Sequence, residues 1–326
     1  MNKRISIAGR LCAAAFFLCA AAGAQADSWP SRSIRMVVPF AAGGSVDVTG
    51  RVLARALARR LGQPIVVENR SGAAGMIGTD YVVKAAPDGY TIVMASAGIV
   101  AVGPHIYKHM PFDPFKDLEP VSRVVDGVNV AVVRPSSPIK SIKDLIAAAK
   151  ASPGKINFGS SGIGASDDMA TELFTNMTHT KMTNIAYKGG GPAIIDLLGG
   201  NIDVIFSAVA PAIGHIKSGK LRPLGVTTPE RLAILPNVPT IAQAGVPGYE
   251  SVAWYGLFAP RGTPKAVVER LSVATREALK DPAVSKQLMD SGLIPHGSTP
   301  SSFAAYIRQD SQKWAKVVKD NGIKVE

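Results

Sequence analysis

Cysteine is nearly absent: the 326 residues contain two, Cys12 and Cys19. Both lie in an N-terminal stretch that opens with Lys3 and Arg4, continues through an apolar run at 11–22 and reaches Ala24-Gln25-Ala26. That is the pattern of a secretory signal peptide over residues 1–26, cut near Ala26. A lipid anchor needs a small residue before its cysteine, whereas Leu11 and Leu18 stand there. The processed chain therefore has no thiol, which excludes disulfides, thiolate metal sites and a cysteine nucleophile. No later apolar run reaches the roughly 18 to 20 residues that span a bilayer. Export without an anchor predicts a periplasmic location.

Aromatic residues make up only 6% of the chain, and no nucleic-acid motif accompanies the formal charge of +12, so no DNA or RNA partner is expected. Three of those charges leave with the signal segment. Arg51, Arg55 and Arg59 recur every four positions, as on the solvated face of a helix whose other side carries Val52, Leu53, Ala56 and Leu57. Catalytic motifs are missing too. The sequence "GSSGIG" has Ile163 where G-x-S-x-G needs its last glycine, and there is no P-loop or complete dinucleotide fingerprint. His105 and His109 have a helical metal spacing, but flanking prolines break the helix and no carboxylate completes a ligand set. No metal, cofactor or enzymatic activity is expected; a secreted hydrolase is the weaker rival reading.

What the chain does have is alternation. Strand-like runs at 34–40, 64–68, 91–96, 129–134, 156–159, 183–187, 203–207 and 222–227 interleave with helical patterns at 47–61, 141–151, 166–178, 191–199 and 211–218. This predicts an α/β fold with parallel sheets covered by helices, and the length suits about two domains at roughly 100 to 200 residues each. Two units repeat one design, "IRMVVPFAAGGSVD" and "INFGSSGIGASDDMATELF": strand, glycine turn, helix. A helix N-terminus offers unpaired N–H groups and partial positive charge, and glycine lets a ligand approach the backbone. Two such turns facing each other could hold a small anion, with hydroxyls from Ser45, Ser160 and Ser161. Either turn alone could equally be only a tight turn.

The segments "WPSRSIRMVVPFAAGGSVDVTGRVLA", "VVENRSGAAGMIGTDYVVKAAPDGYTIVMAS", "INFGSSGIG", "YKGGGPAIIDLLGGNIDVIFS" and "WYGLFAPRGTP", in this order from Trp29 onward, resemble the Bug-type solute receptors of tripartite tricarboxylate transporters. The resemblance implies a type II periplasmic-binding-protein fold: two α/β lobes closing on a ligand in the cleft between them. Lobe I would comprise 27–126 plus 251–326, and lobe II, inserted, 127–250. It further implies a ligand carboxylate gripped mainly by backbone amides, hydroxyls and water. Carried over by motif, the binding residues would be Phe40, Ala41, Gly43, Gly44 and Asp47; Ser96 and Ala97; Ser160, Ser161, Gly162, Ile163, Gly164 and Ala165; Tyr187 and Gly189; Ser207 and Ala208; and Trp254, beside Tyr255. The implied partners are a small organic acid or related solute and two integral-membrane transporter subunits, with the receptor a monomer. Docking on a membrane sensor instead would use the same site.

The chain departs from the family pattern after "GSSGIG", where relatives commonly have serine and, three residues on, histidine; here these are Ala165 and Asp168. Asp167 and Asp168 could meet a ligand amino group or repel a second carboxylate. Alternatively Ser166 caps the helix and the aspartates complement its dipole. Phe40, Tyr187, Trp254 and Tyr255 could line the cleft, favouring a flat ligand, or belong to the core.

Overall fold

The computed structural model describes residues 29–321; the expected signal segment and its cut near Ala26 lie outside the described residues. The chain begins with β1 (Ile34–Val38), α1 (Ser45–Leu61), β2 (Ile65–Asn69), α2 (Met76–Val83) and β3 (Thr91–Ser96). A π-helical turn (Gly98–Val102) and the short α3 (Gly103–Ile106) and α4 (Pro114–Asp117) lead to the 16-residue β4 (Leu118–Val133). Next come α5 (Ile142–Ala151), β5 (Asn157–Ser160), α6 (Ser166–Thr178), β6 (Thr183–Ala186), α7 (Gly190–Gly199), β7 (Val204–Ala208), α8 (Val209–Lys217) and β8 (Arg222–Val226). The last part holds β9 (Val252–Pro260), α9 (Lys265–Lys280), α10 (Pro282–Met289), β10 (Leu293–Pro295) and α11 (Pro300–Asn321).

The strands run β2-β1-β3-β9-β4-β7-β5-β6, with β8 and β10 added on β4. The central member is β4. From Leu118 to Val128 it pairs antiparallel with β9, and from Asn129 to Val132 with β7. The chain returns where Ser251 N–H donates to the Thr227 carbonyl, and Thr227 N–H to that of Asn129. Parallel pairing of β1 with β2 and β3, and of β5 with β6 and β7, leaves each helix to cross over one face.

Strand alternation sorts the core. In β1, Ile34, Met36 and Val38 meet Leu53 and Leu57 of α1 and Leu271 of α9, whereas Val37 faces the opposite layer with Val93 and Phe258. In β4, Val130 and Val132 turn to Leu197 and Ile205, and Ala131 and Val133 to Phe158, Phe174 and Phe206. Helices α2, α9, α10 and α11, with β9 and the first eleven residues of β4, extend the pattern read from sequence.

Alternation also decides Trp254, and here the expected cleft role is corrected. Trp254 is fully buried. It lies edge-on to Phe303 of α11 with ring centroids 5.2 Å apart, and its Nε1 donates to Asp310 Oδ2 at 2.7 Å. Its neighbour Tyr255 takes the other face of β9, in the layer of α1 and α9. Burial holds the Asp310 carboxyl above its ordinary range, against the indole hydrogen bond. Trp254→Phe should cost about 1 to 3 kcal/mol through the unsatisfied buried carboxyl alone. Urea unfolding checks this; an unchanged midpoint contradicts it.

Candidate functional site

All the segments singled out from sequence, Trp254 apart, sit at carboxyl ends of strands. β1 is followed by residues 39–44 and α1; β3 by Ala97 and the π-turn; β5 by residues 161–165 and α6; β6 by Tyr187, Gly189 and α7; β7, ending at Ala208, directly by α8. Open α/β sheets bind ligands at this edge.

The two glycine turns are held by one device used twice. The Gly43 N–H donates to Asp47 Oδ2 at 3.0 Å, and Asn69 Nδ2 donates to Asp47 Oδ1 at 2.9 Å. In the second unit the Gly164 N–H donates to Asp168 Oδ2 at 2.7 Å, and Asn184 Nδ2 donates to Asp168 Oδ1 at 2.6 Å. Both glycines have positive φ, +85° and +78°, a backbone conformation that favours glycine. In each case the aspartate lies in the first turn of the helix and reaches back four residues, combining an N–H with the positive end of the dipole.

This arrangement revises several expectations. Asp47 and Asp168 are buried and spend their carboxylates on their own turns and on the neighbouring asparagines. Ser166 is the first residue of α6, after Ala165 in the N-cap position, and is not the cap; Asp168 accepts from the Gly164 N–H just ahead of the helix, and Asp167 accepts the Asp168 N–H within its first turn. Asp167 takes both the N–H and the hydroxyl of Ser161. Ser160 donates to Asn184 Oδ1, and Ser207 to the Ala208 carbonyl. The hydroxyls of Ser160, Ser161 and Ser207 are thus engaged within the protein. Tyr187 is half-buried with its hydroxyl on Asp196 Oδ2 at 2.7 Å. Phe40 is half-buried between two core layers; Ala41, Gly43 and Ile163 are exposed, while Gly44, Ser96, Gly162, Ala165, Gly189 and Ala208 are half-buried.

The turns of the two units meet. Tyr107 donates to the Ile163 carbonyl at 3.0 Å. A Cβ on Gly98, after Ala97, would stand 2.6 Å from the Gly164 carbonyl oxygen, and one on Gly164 only 2.3 Å from Ile106 Cδ1. Between them a cavity of about 10 Å³ is lined by Ala97, Gly98, Gly164, Ser166, Ser251 and Trp314, among others, room for about one water. Tyr107, Gly98 and Asn184 lie outside the segments quoted above and Asn69 lies within one without being singled out; their contacts across the chain reveal them. Arg55 and Arg59 are exposed, as expected of a solvated face, but Arg51 Nε also contacts Asp47 Oδ2 at 2.9 Å.

The electrostatics of the paired aspartates differ. Burial opposes ionisation of Asp47, but hydrogen bonds from Arg51, Gly43 and Asn69 outweigh it and hold the carboxyl below its ordinary range. Burial pushes Asp168 up to about 8 against the Gly164 hydrogen bond, with Glu172 and Asp167 adding like-charge repulsion. Burial likewise raises Asp167 and Glu172. Among the described residues, no group of three His, Cys, Asp or Glu could hold a metal ion, and no helix is long and apolar enough to cross a membrane. His105 contacts Ser311 Oγ at 2.7 Å, joining α3 to α11.

Two α/β units joined through a shared long strand, with opposed glycine turns at their carboxyl edges, define a two-lobed solute-binding protein of the periplasmic type. The chain belongs to the tripartite tricarboxylate transporter family receptors, whose family model matches residues 49–323. It is 40% identical to the protein BugT of Bordetella pertussis, over 94% of each chain. Among solved structures it resembles R. palustris Rpa4515 with adipate, at 36% identity and TM-score 0.88, covering 91% of this chain and 99% of that one. It also resembles MatC from Rhodopseudomonas palustris with bound malate, at 30% identity and TM-score 0.83, covering 89% and 100%. The protein is thus a solute receptor of a tripartite transporter, and the family's role is binding, not catalysis.

Two predictions follow from this geometry. Gly98 lacks the positive φ that would strain a side chain, so Gly98→Ala should leave the fold intact yet hold the turns apart. Ligand affinity should fall at least about tenfold, while the Tm without ligand is kept; calorimetry showing parental affinity contradicts this. The folded chain retains a proton on Asp168 that the unfolded chain releases in the ordinary carboxylate range. Between that range and about pH 8, the native state binds more protons, so this group makes stability fall as pH rises. Asp168→Asn should flatten the loss of Tm across that window, and equal losses in both chains would count against the shift.

Proposed function

We propose that this receptor captures a small carboxylate-bearing organic solute between lobe I, residues 27–126 with 251–326, and lobe II, residues 127–250. The partner exchange of β4 at Val128 and Asn129, with the return at Ser251, supports these boundaries. The solute meets the turns after β1 and β3 on one side and those after β5, β6 and β7 on the other. Backbone groups of Ala41, Gly44, Gly162, Ile163 and Ala165 and the walls at Phe40, Ser96, Ala97, Tyr187, Gly189 and Ala208 form its surroundings. Adipate and malate in the Rhodopseudomonas relatives support the carboxylate class.

The observation that carries the mechanism is the contact between opposed turns, Tyr107 to Ile163 and Gly98 to Gly164. A ligand that touches both lobes only when they are closed shifts the population towards that form, and the closed form is what two integral-membrane subunits recognise. The receptor acts as a periplasmic monomer, released by cleavage near Ala26, without a cofactor.

A thermal-shift screen of the mature protein, stripped of carried-over solute by partial unfolding and dialysis, tests this reading. Mono-, di- and tricarboxylates, amino acids and aromatic acids form the panel. At 100 times its dissociation constant, the cargo should add about 2.7 kcal/mol, or roughly 5 to 11 °C at about 2 to 4 °C per kcal/mol. Scattering should show compaction with the same ligand. A silent panel, or binding without compaction, counts against this reading.

A further inference from the structure

Ion pairs are distributed unevenly along the chain. Every salt bridge among the described residues joins two residues drawn from 29–126 and 251–321, and none involves residues 127–250. In the first group lysines stand beside an acid of their own helix, as Lys84 with Asp80, Lys286 with Asp290 and Lys316 with Asp320. In 127–250, by contrast, Lys150, Lys155, Lys181, Lys217 and Lys220 have no acid within four positions on either side.

The topology gathers these lysines at one end. β5 runs parallel to β6 and β7, and β4 runs antiparallel to β7 and β8. The amino ends of β5 to β8 and the carboxyl end of β4 therefore lie together, at the pole of this unit away from the glycine turns. Lys155 and Lys181 precede β5 and β6, and the Gly154 N–H donates to the Lys181 carbonyl at 2.8 Å. Lys150 lies in the last turn of α5; Lys217 ends α8, and Lys220 precedes β8. Lys140 closes a loop whose Pro135 and Ser137 carbonyls accept from Arg222 at the start of β8. All six lysines are exposed. The nearby acids are engaged by the chain itself: Asp144 accepts the Lys140 N–H, Asp203 the Asn157 N–H, and Asp196 the Tyr187 hydroxyl.

We infer that this pole of lobe II is an adhesion surface for an anionic phospholipid bilayer, holding the receptor at the membrane while the cleft, at the other end of the strands, stays free. This rests on the receptor reading above. Lysine chemistry favours a bilayer over an acidic protein face. Ammonium groups on flexible stems suit a surface whose charges are diffuse and mobile, whereas fixed carboxylates are matched by arginine forks. The two arginines of this pole are turned to the protein: Arg222 is bonded to loop carbonyls, and Arg134 is half-buried against the turn at Gly200. Among the described residues the pole also carries no exposed large apolar side chain of the kind that anchors a protein interface. Clusters of about four to eight basic residues bind anionic leaflets by charge alone.

Vesicle co-sedimentation of the mature receptor tests the inference. At low salt, binding to vesicles of equal parts phosphatidylglycerol and phosphatidylcholine should exceed binding to pure phosphatidylcholine at least about tenfold. Sodium chloride at about 0.5 M should abolish the difference. Lys150→Gln, Lys155→Gln and Lys181→Gln together should remove most of it while the Tm is kept. Lys265→Gln, Lys313→Gln and Lys319→Gln, which take the same charge from exposed positions of lobe I, should remove little. Equal loss in the two triple variants would assign the binding to net charge and overturn the pole. Equal binding to both kinds of vesicle overturns the inference outright, and retention on poly-glutamate in that case gives the pole to an acidic protein segment instead. Each of these failures leaves the receptor reading intact, because the thermal screen reads the solute site.

Discussion

A first-turn aspartate reaching back to a glycine N–H is the contact on which the site depends. A glycine turn is conformationally loose by nature, since glycine gives up more backbone freedom on folding than any other residue. Asp47 and Asp168 fix the turns by bonding Gly43 and Gly164, and Asn69 and Asn184 hold the carboxylates from the neighbouring parallel strands. Each turn is thereby tied to its helix and to its sheet. The backbone groups around it are presented in one arrangement before a ligand arrives, which reduces the ordering cost of binding.

The same contact in two electrostatic settings gives the lobes different characters. Beside Arg51, the Asp47 carboxylate is paired and held below its ordinary range. Burial, with Glu172 and Asp167 close by, makes Asp168 resist ionisation, while it still takes the Gly164 N–H. Repeated architecture thus need not mean repeated electrostatics: Arg51 and Glu172, one turn along each helix, help set the two aspartates apart.

Movement between the lobes is constrained by β4. This strand is shared by both, pairing with β9 up to Val128 and with β7 from Asn129. Asn129, Thr227 and Ser251 join at this crossing through backbone hydrogen bonds. At the far edge the approach is limited by sterics. Gly98 and Gly164 have no side chain, and the space that a Cβ would need is occupied by the opposite lobe.

The sequence by itself determined the α/β class, the eight strand segments, the glycine turns at strand ends and the family, because hydrophobic alternation and turn chemistry are local properties. It determined the span of α6 at 166–178 and the expectation of two matching units. The first part of β4 was hidden because Arg123 and Asp126 interrupt its apolar pattern; in the fold they are half to fully buried and joined at 2.6 Å. Only the tertiary structure decided which polar groups stay available. Ser160, Ser161 and Asp47 read as ligand contacts until Asn184, Asp167, Asn69 and Arg51 are seen to engage them. It also decided that Trp254 turns into the aromatic core while Tyr255 takes the other face of β9, since sequence gives the alternation of a strand but not which face meets the cleft. A hydrogen bond to a residue far along the chain removes a donor from the site, and that removal is fixed by packing alone.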